Sequence, residues 1–514
     1  MFSNVYGVGL RGIDGCLVQA ETDIQDGLPS FVMVGALAPE VREAQDRVRT
    51  SLKNAGFRWR PGKVTINLSP AGLRKTGTGF DLPIAAGILL AEGLPAPDWL
   101  EEAVWVGELG LSGEVKPVRG ILSMVLEARH QGKAFCILPE GNVREGLVIP
   151  GIRILGIRHV RQLAELLRCG REELLLQGQE GGCQEEAQPE AYAVDYEEVQ
   201  GQYLMKRAAE VAAAGGHNLL YIGAAGTGKT MTAERIPTIL PSCTLQERLE
   251  ISRIYSICGL LPPDRPLMHA RPFRSPHHGA TVQALTGGGR SPVPGEMSLA
   301  SGGVLFLDEF PEFSRHVIDA LRQPLESRKV VLSRVSGRYE FPADFLFVAA
   351  MNPCPCGYYP DRRRCSCSES QIRSYLGRLP RPILDRIDIC VSSSPVAFDE
   401  LRGKGKTEPS AAIRRRVEQA RERQRIRFAG TPLRLNSQIY GEYLERFCRL
   451  DAEEERFFRR VYEEREMSAR AYAKVLRVAR TIADLDGEEQ IHHRHLCEAI
   501  GYRRQEEWNW KKTE

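Results

Sequence analysis

A glycine-rich loop set between an apolar strand pattern and a helix pattern constrains this chain more than any other stretch. Residues 217–230 read HNLLYIGAAGTGKT, so the apolar run Leu219–Ile222 leads directly into the pattern G-x-x-x-x-G-K-T. Glycines allow backbone N–H groups to close on phosphate oxygens, and a lysine at this spacing reaches the β- and γ-phosphates of a nucleotide. The predicted phosphate-binding residues are Gly223, Ala224, Ala225, Gly226, Thr227, Gly228, Lys229 and Thr230.

A second apolar run is followed by two carboxylates. Val304–Leu307 is continuously hydrophobic, as expected of a strand buried on both faces of a parallel sheet, and Asp308 and Glu309 come next. Parallel sheets bind their ligands beyond the carboxyl ends of the strands, which is where these side chains would lie. We predict that Asp308 and the hydroxyl of Thr230 hold Mg²⁺ and that Glu309 polarises the attacking water.

Two features further along are typical of one class of nucleotide hydrolase. The apolar run at 345–350 is followed by Asn352, and the segment LDRID at 384–388 contains Arg386. Together with the phosphate loop and the carboxylates, they resemble the AAA+ ATPases. The resemblance implies that Asn352 is the sensor 1 residue and that Arg386 is the arginine finger, which meets a neighbouring subunit's γ-phosphate. Arg470, at the start of a C-terminal helix pattern, matches the sensor 2 position.

Three longer stretches narrow the resemblance. They read PFRSPHHGATVQALTGGG, GEMSLASGGVLFLDE and RLPRPILDRIDI, and they are similar to the Mg-chelatase-like AAA+ ATPases of the bacterial YifB/ComM type. The resemblance covers essentially the whole chain and implies an α/β protein. Its implied domains are a Lon-protease-like (ribosomal protein S5 domain 2-like) α+β domain at 1–168, an AAA+ core at 192–397 and a helical lid at 398–514. Between the first two domains, a stretch rich in glutamine, glutamate and glycine indicates a linker at 169–191.

The N-terminal domain is expected to lack proteolytic chemistry. Strand patterns occur at 5–10, 16–24, 31–34 and 64–68, and the later part resembles the Lon proteolytic domain. Lon-type hydrolysis needs a nucleophilic serine and a lysine that takes its proton. The corresponding positions hold Asp81 and Leu122. We therefore expect a scaffold or a module that binds protein partners.

A hairpin pattern at 330–341 carries basic residues. Two strand-like runs flank Ser336 and Gly337, with Lys329 at the base and Arg334 and Arg338 near the turn. In the family that the chain resembles, this hairpin faces the central pore of the ring, so these three cations are the predicted DNA contacts. The alternative is an ordinary solvated hairpin. The arginine-rich stretch 414–427 is the second candidate for a DNA surface.

Four cysteines form a C-x-C-x8-C-x-C pattern in a loop rich in proline, glycine and arginine. They are Cys354, Cys356, Cys365 and Cys367. Four thiolates fit a closed tetrahedral Zn²⁺ site, which would stabilise a loop with few apolar residues to bury. Free or redox-active thiols are the alternative.

Composition excludes several other classes of protein. The chain has 514 residues and a formal net charge of only +3, so any DNA-binding surface must be local. No apolar run reaches the roughly 18 to 20 residues of a membrane span, and the N-terminus lacks the pattern of a signal peptide. Thirteen cysteines are too few for a disulfide scaffold in a chain of this length. We expect a cytoplasmic protein with no membrane partner.

The combined expectation is a homohexameric AAA+ motor that hydrolyses ATP with Mg²⁺ and acts on single-stranded or branched DNA. The resemblance to the ComM branch implies a helicase or branch-migration factor in recombination or natural transformation. Two alternatives remain open. One is a metal-insertion ATPase like the Mg-chelatase subunit, and the other is a regulatory ATPase that acts on protein partners through its N-terminal domain.

Overall fold

The computed structural model describes residues 1–58, 61–182, 192–262, 264–289, 291–334, 337–393 and 407–503. These residues form a mixed sheet with helices in the N-terminal part, a parallel sheet in the central part, and a C-terminal group of helices. We use these three names for the parts below. Within the described residues, no helix has the length and apolar character that crossing a lipid bilayer requires.

The N-terminal part is built on eight strands. They are β1 (Phe2–Arg11), β2 (Asp14–Gln25), β3 (Ser30–Val34), β4 (Lys63–Ser69), β5 (Ala103–Trp105), β8 (Phe135–Pro139), β9 (Arg153–Ile157) and β10 (Gln179–Glu180), and a separate small hairpin is formed by β6 (Glu108–Leu109) and β7 (Val115–Lys116). The strand order is β10-β9-β8-β5-β1-β2-β4-β3. Buried and partly exposed residues alternate along β4, as expected of a strand with one face on the core.

Helices cover this mixed sheet. They are Pro39–Arg42, Ala44–Asn54, Asp81–Ala91, Ile121–His130, Val143–Gly146, Gln162–Leu166 and Arg171–Gln177, with 3₁₀ turns at Leu100–Glu102 and Glu140–Asn142. Every residue of Asp81–Ala91 is buried, because this helix lies in the centre of the N-terminal core against β1 and β2. Its sequence, DLPIAAGILLA, has the uniformly apolar character that such a position requires.

The structure differs from the predicted linker at 169–191. Helix Arg171–Gln177 and strand β10 lie inside that segment, and β10 pairs with β9 in antiparallel orientation. Leu174 is fully buried and Arg153 donates to the carbonyls of Leu175 and Gly178, so these residues pack onto the N-terminal sheet. The glutamine and glutamate content suggested a linker, but the buried leucine decides the structure. Residues 183–191 lie outside the described part of the chain.

The central part contains a five-stranded sheet. Its strands are β11 (Leu219–Ile222), β12 (Phe273–Arg274), β13 (Val304–Leu307), β16 (Leu346–Met351) and β17 (Ile389–Ser392), and a separate hairpin is formed by β14 (Lys329–Arg334) and β15 (Gly337–Pro342). The order is β12-β13-β16-β11-β17 and all neighbours are parallel. All residues of β11, β13 and β16 are buried, which explains their continuous apolar sequences. The arrangement is consistent with an AAA+ type domain.

The helices of the central part surround this sheet. They are Tyr203–Gly215, Lys229–Glu234, Ile236–Ile239, Leu245–Cys258, Val282–Thr286, Glu296–Leu299, Arg315–Ala320, Arg322–Ser327, Glu369–Leu376 and Arg381–Leu384, with 3₁₀ turns at Tyr196–Glu198 and Phe310–Glu312. Leu245–Cys258 begins with a capping box formed by Thr244 and Glu247 and ends at Gly259, whose φ is +68°. These signals give the helix defined ends.

The C-terminal helices pack on helix Tyr203–Gly215 of the central part. They are Ser410–Arg427, Glu442–Phe447, Ala452–Glu464, Ala469–Asp486 and His493–Gly501, with a 3₁₀ turn at Asn436–Gln438. The two parts share one apolar core. The buried amide of Gln424 donates to the carbonyl of Ala214 at 3.0 Å, so a polar contact also fixes how the two parts meet.

The N-terminal part rests on helix Leu245–Cys258 of the central part. Arg253 of this helix donates to the carbonyl of Ile13 at 3.0 Å, to Oδ1 of Asp14 at 2.9 Å and to Oγ of Ser123 at 3.1 Å. The contact therefore reaches both the turn between β1 and β2 and helix Ile121–His130. An arginine with three such acceptors holds a defined geometry.

Candidate functional site

The predicted phosphate-binding loop lies at the carboxyl end of β11 and leads into helix Lys229–Glu234. Gly226 and Gly228 have φ values of +76° and +82°, in the left-handed region that glycine adopts without steric cost. A Cβ added to Gly223 would collide with Oγ of Ser393. The backbone conformation therefore requires glycine at positions 226 and 228, and the close approach of Ser393 requires it at position 223.

Lys229 points inward along the loop. Its Nζ donates to the carbonyls of Gly223 and Ala224, both at 2.8 Å, and to Oδ1 of Asn352 at 3.3 Å. Only 7% of the residue is exposed. Burial lowers the pKa of Lys229, while the charges of Asp308 and Glu309 oppose this effect. The lysine of the loop and the predicted sensor residue thus meet directly, although they are far apart in the sequence.

Thr230 and Asp308 join the loop to the carboxylate-bearing strand β13. The hydroxyl of Thr230 donates to Oδ2 of Asp308 at 2.6 Å, and the other carboxylate oxygen accepts from the backbone N–H of Glu309 at 2.9 Å. A hydroxyl and a carboxylate are hard oxygen donors of the kind that Mg²⁺ prefers, and it commonly completes its shell with water and phosphate oxygens. The two side chains therefore fit the metal that the sequence predicts.

Glu309 lies beside a histidine that the sequence reasoning did not single out. Its φ is +50°, and its Oε2 is 3.5 Å from Nδ1 of His278. The ring of His278 lies next to that of His277, with centroids 4.0 Å apart and the ring planes tilted by 35°. The signal in the sequence was the pair of histidines in PFRSPHHG, which follows β12. A positive φ in a non-glycine residue is uncommon and is often found at functional sites.

Arg386 lies at the opposite end of the sheet from its own phosphate loop. Leu219 of β11 pairs with Ile389 of β17, so residues before Ile389 are at the amino end of these parallel strands. Asn218 donates its side-chain N–H to the carbonyl of Arg386 at 2.7 Å and fixes it there. The phosphate loop follows the carboxyl end of β11, about 13 Å away for a strand of this length.

Among the described residues, Arg386 does not pair with Asp385 or Asp388, the two carboxylates closest to it in the sequence. Instead, Arg386 pairs with Glu326 and also donates to the carbonyl of Pro382. Asp385 pairs with Arg470 at 3.4 Å, whereas Asp388 lies beside His217.

Arg470 is therefore located near Arg386 and not at the phosphate loop of its own chain. Its partner Asp385 directly precedes Arg386, at the amino end of β17. Both Arg470 and Asp385 are exposed, with 79% and 49% of their side-chain surfaces accessible. The two predicted catalytic arginines thus lie on the same side of the central sheet, remote from Lys229, with Arg470 exposed and only 19% of the Arg386 side chain accessible.

The four clustered cysteines come together as their spacing predicts. Their sulfurs all lie within 4.8 Å of one another, with Sγ of Cys356 at 3.3 Å from Cys354 and 3.5 Å from Cys365. Sulfurs around a tetrahedral Zn²⁺ are about 3.8 Å apart for a Zn–S bond of about 2.3 Å, so Cys354, Cys356, Cys365 and Cys367 fit this metal. The loop begins directly after Asn352, and a Cβ on Gly357 would be 3.9 Å from the backbone N of Ala225. The cysteine loop therefore touches the phosphate loop.

The basic hairpin is formed by β14 and β15, and its turn residues 335 and 336 lie outside the described part of the chain. Glu340 pairs with Arg338 at 2.8 Å and with Lys329 at 3.4 Å, so two of the three predicted DNA contacts share one carboxylate. Arg334 extends toward the segment 275–303 between β12 and β13, which we call the insert, and its Nη2 is 3.5 Å from an ideal Cβ on Gly288. All of these cations are exposed, and exposed ion pairs are weak, about 0 to 1 kcal/mol.

Six of the seven arginines of the second candidate surface, helix Ser410–Arg427, contact other groups of the described chain. They pair or hydrogen bond as follows: Arg414 with the carbonyl of Thr238, Arg416 with Glu210 and Glu408, Arg421 with the carbonyl of Ala213, Arg423 with the carbonyl of Gly487, Arg425 with Glu422, and Arg427 with Asp484. Partners in other segments hold Arg414, Arg416, Arg421 and Arg427, whereas Arg415, Arg423 and Arg425 remain exposed. Composition alone could not separate a basic surface from a set of docking contacts.

The two Lon-aligned positions have structural environments. Asp81 is fully buried and accepts hydrogen bonds from Nε and Nη2 of Arg47 at 2.7 and 2.9 Å and from the backbone N–H of Leu109 at 3.1 Å. Burial raises the pKa of Asp81, while the hydrogen bonds from Arg47 oppose this. Leu122 is a fully buried core residue. The nucleophilic serine and the lysine base of Lon-type hydrolysis are therefore both missing from these positions.

The parallel sheet, the glycine loop and the hydrogen-bonded Thr230 and Asp308 define a P-loop protein of the AAA+ ATPase type. Three family models match it: "Magnesium chelatase, subunit ChlI" at 195–401, "Subunit ChlI of Mg-chelatase" at 20–142, and "Magnesium chelatase, subunit ChlI C-terminal" at 407–503. The chain belongs to the Mg-chelatase-like ComM/YifB family.

The similarity to curated relatives extends along nearly the whole chain. Competence protein ComM of Haemophilus influenzae is 40% identical and covers 97% of this chain and 97% of its own length. The uncharacterized proteins YifB of Salmonella typhimurium and of Escherichia coli are each 40% identical, with 96% of this chain and 95% of their own length covered. The family expected from the sequence motifs is thereby confirmed.

Proposed function

We propose that this protein is an ATP-hydrolysing motor that acts on single-stranded or branched DNA as a homohexameric ring, with helicase or branch-migration activity. The observation that carries the proposal is the location of Arg386 and Arg470 on the face remote from their own phosphate loop. A finger at that face completes a site only in a neighbouring subunit, so the active site requires assembly.

Nucleotide binding is assigned to the phosphate loop and hydrolysis to the carboxylates beside it. The loop glycines and Lys229 bind the phosphates, and Thr230 and Asp308 hold Mg²⁺. When bound, the metal supplies positive charge to the phosphate oxygens. Glu309 orients the attacking water, and the amide of Asn352, already in contact with Lys229, detects the γ-phosphate position. Arg386 of one subunit stabilises the charge that develops on the neighbour's γ-phosphate.

DNA binding is assigned to the hairpin formed by β14 and β15. Its exposed cations, Lys329, Arg334 and Arg338, suit sequence-independent phosphate contacts. The name of the relative from Haemophilus influenzae, a competence protein, is consistent with DNA as the substrate and with a role in natural transformation. Engagement of most arginines of helix Ser410–Arg427 in internal contacts favours the hairpin over that helix.

The cysteine loop is proposed to hold one Zn²⁺. Its residues follow the sensor strand and touch the phosphate loop, so a metal there would fix the position of both. The N-terminal part is assigned to scaffolding or to binding a protein partner, because Asp81 and Leu122 provide no proteolytic chemistry.

The test is ATP hydrolysis by the full-length protein with no DNA, single-stranded DNA, duplex DNA and a four-way junction, with strand displacement measured in parallel. We expect single-stranded or branched DNA to stimulate turnover and the junction to be unwound. A rate of ATP hydrolysis that no DNA changes would contradict the proposal. Stimulation by a tetrapyrrole system would then favour a metal-insertion ATPase, and stimulation by a protein partner would favour a regulatory ATPase.

A further inference from the structure

A cavity of about 590 Å³ lies between the N-terminal part and the central part. On the N-terminal side it is lined by the end of β1 and by the loop at 72–79. On the central side it is lined by residues 291–293 of the insert and by Gly337 and Tyr339 of the hairpin. A cavity of this volume takes about one or two nucleotides rather than a duplex.

Three arginines line the cavity, and no described residue forms an ion pair with any of them. They are Arg11, Arg74 and Arg119. Two carboxylates also line the cavity, where Glu108 accepts from the hydroxyl of Thr78 and Glu40 accepts from the N–H of Gly77. The lining therefore carries more guanidinium groups than carboxylates and has a net positive charge.

Two of these arginines lie beside contacts between the N-terminal part and the central part. Gly12, next to Arg11, packs against the hairpin, since an ideal Cβ there would be 3.6 Å from the carbonyl oxygen of Glu340. Arg119 lies against Gly259, the residue that ends helix Leu245–Cys258, with its Nε 2.7 Å from the corresponding Cβ position. The N-terminal part and the hairpin formed by β14 and β15 thus form adjacent walls of the cavity.

We propose that this cavity binds a segment of a single nucleic-acid strand, with phosphates on Arg11, Arg74 and Arg119 and a base on the ring of Tyr339. Arginines along a groove, together with an aromatic ring, are the arrangement by which proteins bind single strands without sequence preference. The proposal rests on the proposed function, and it gives the N-terminal part a role in guiding the strand to the hairpin.

The test compares two charge-matched double variants of the full-length protein. Arg11→Gln with Arg74→Gln removes two cavity cations, and Arg49→Gln with Arg168→Gln removes two exposed cations that do not line the cavity. Binding of a fluorescent oligothymidylate is measured by anisotropy over a range of salt concentrations, with a non-hydrolysable ATP analogue present. Thermal unfolding checks that each variant is folded.

We expect the cavity variant to bind the strand more weakly and to lower the salt slope by about 1.4, the change for two lost single-strand phosphate contacts. The matched control should keep the affinity and slope of the wild type. If the cavity variant keeps the affinity and salt slope of the wild type, the cavity proposal is wrong but the proposed function stands. If the wild-type protein binds no DNA, both the cavity proposal and the proposed function are wrong.

Two further measurements separate the remaining outcomes. Photo-crosslinking of a thiothymidine strand to the wild-type protein should label peptides from 70–80 and from the hairpin, and labelling elsewhere only would contradict the proposal even if the variant misfolds. Equilibrium dialysis of ADP with the Lys229→Ala variant tests for a free nucleotide in the cavity. ADP binding that depends on Arg11 and Arg74, with strand binding unchanged, would make the cavity a mononucleotide site and overturn the strand proposal.

Discussion

The side-chain amide of Asn218 donates to the carbonyl of Arg386 at 2.7 Å, which locates the arginine at the amino end of the strand whose carboxyl end begins the phosphate loop. One strand length therefore separates the predicted finger from the nucleotide of its own chain. Glu326 pairs with the guanidinium and holds the mostly buried side chain of Arg386 at this end of the sheet.

The first prediction follows from this separation. Arg386→Ala should bind ATP nearly as the wild type does but hydrolyse it slowly, since an arginine finger contributes about 10³ to 10⁵ in rate in related enzymes. Mixing Arg386→Ala subunits with Lys229→Ala subunits should restore part of the ATPase activity, because some interfaces then combine an intact loop with an intact finger. Absence of recovery in rings shown to be mixed would contradict a finger that acts between subunits.

The second prediction separates binding from hydrolysis within one subunit. Lys229→Ala should lose ATP binding, because the phosphate charge loses its partner, while Glu309→Gln should bind ATP and stall. Nucleotide affinity by calorimetry and turnover by phosphate release measure the two effects. Wild-type turnover in Glu309→Gln would show that another group orients the water.

The third prediction concerns the histidine next to Glu309. If His278 positions this carboxylate, His278→Ala should lower kcat and leave the KM for ATP unchanged, because the phosphate loop is untouched. His277→Ala is the matched control, since its Nδ1 accepts from the N–H of Gly279 and it does not contact Glu309 in the described structure. An equal loss of kcat in both variants would indicate a general disturbance of the insert.

The fourth prediction is that the purified protein carries about one Zn²⁺ per chain. Replacing Cys354 and Cys365 by serine should abolish the metal and lower the melting temperature, because the loop loses the bonds that hold it. Cys497→Ser, at an exposed cysteine outside the cluster, should keep the metal. Metal analysis by mass spectrometry on protein prepared without chelators decides the matter, and a metal-free wild type would rule the site out.

The fifth prediction tests the hairpin against helix Ser410–Arg427. Arg334→Ala with Arg338→Ala should weaken DNA binding similarly for all sequences and reduce its salt dependence, as lost phosphate contacts do. Arg415→Ala with Arg425→Ala, on the helix, removes the same charge and should have little effect. Weaker DNA binding by the helix variant, with unchanged binding by the hairpin variant, would instead assign the DNA-binding surface to the helix.

The sequence by itself determined the local structures and the family. We could predict the phosphate loop from its glycines, and the strands before Asp308 and Asn352 from their apolar residues, because strand burial and backbone sterics act over a few residues. The same holds for the cysteine spacing. The four N-terminal strand patterns were also found as β1 to β4, each within a few residues of its expected bounds.

Only the tertiary structure decided which distant groups meet. The contact of Lys229 with Asn352, the neighbourhood of His278 and Glu309, and the position of Arg386 remote from its own loop depend on the order of strands in the central sheet. Whether an arginine of helix Ser410–Arg427 is paired or exposed depends on which carboxylates and carbonyls lie next to it in the neighbouring segments. Such choices are made by packing between segments far apart in the chain, and no local pattern of residues specifies them.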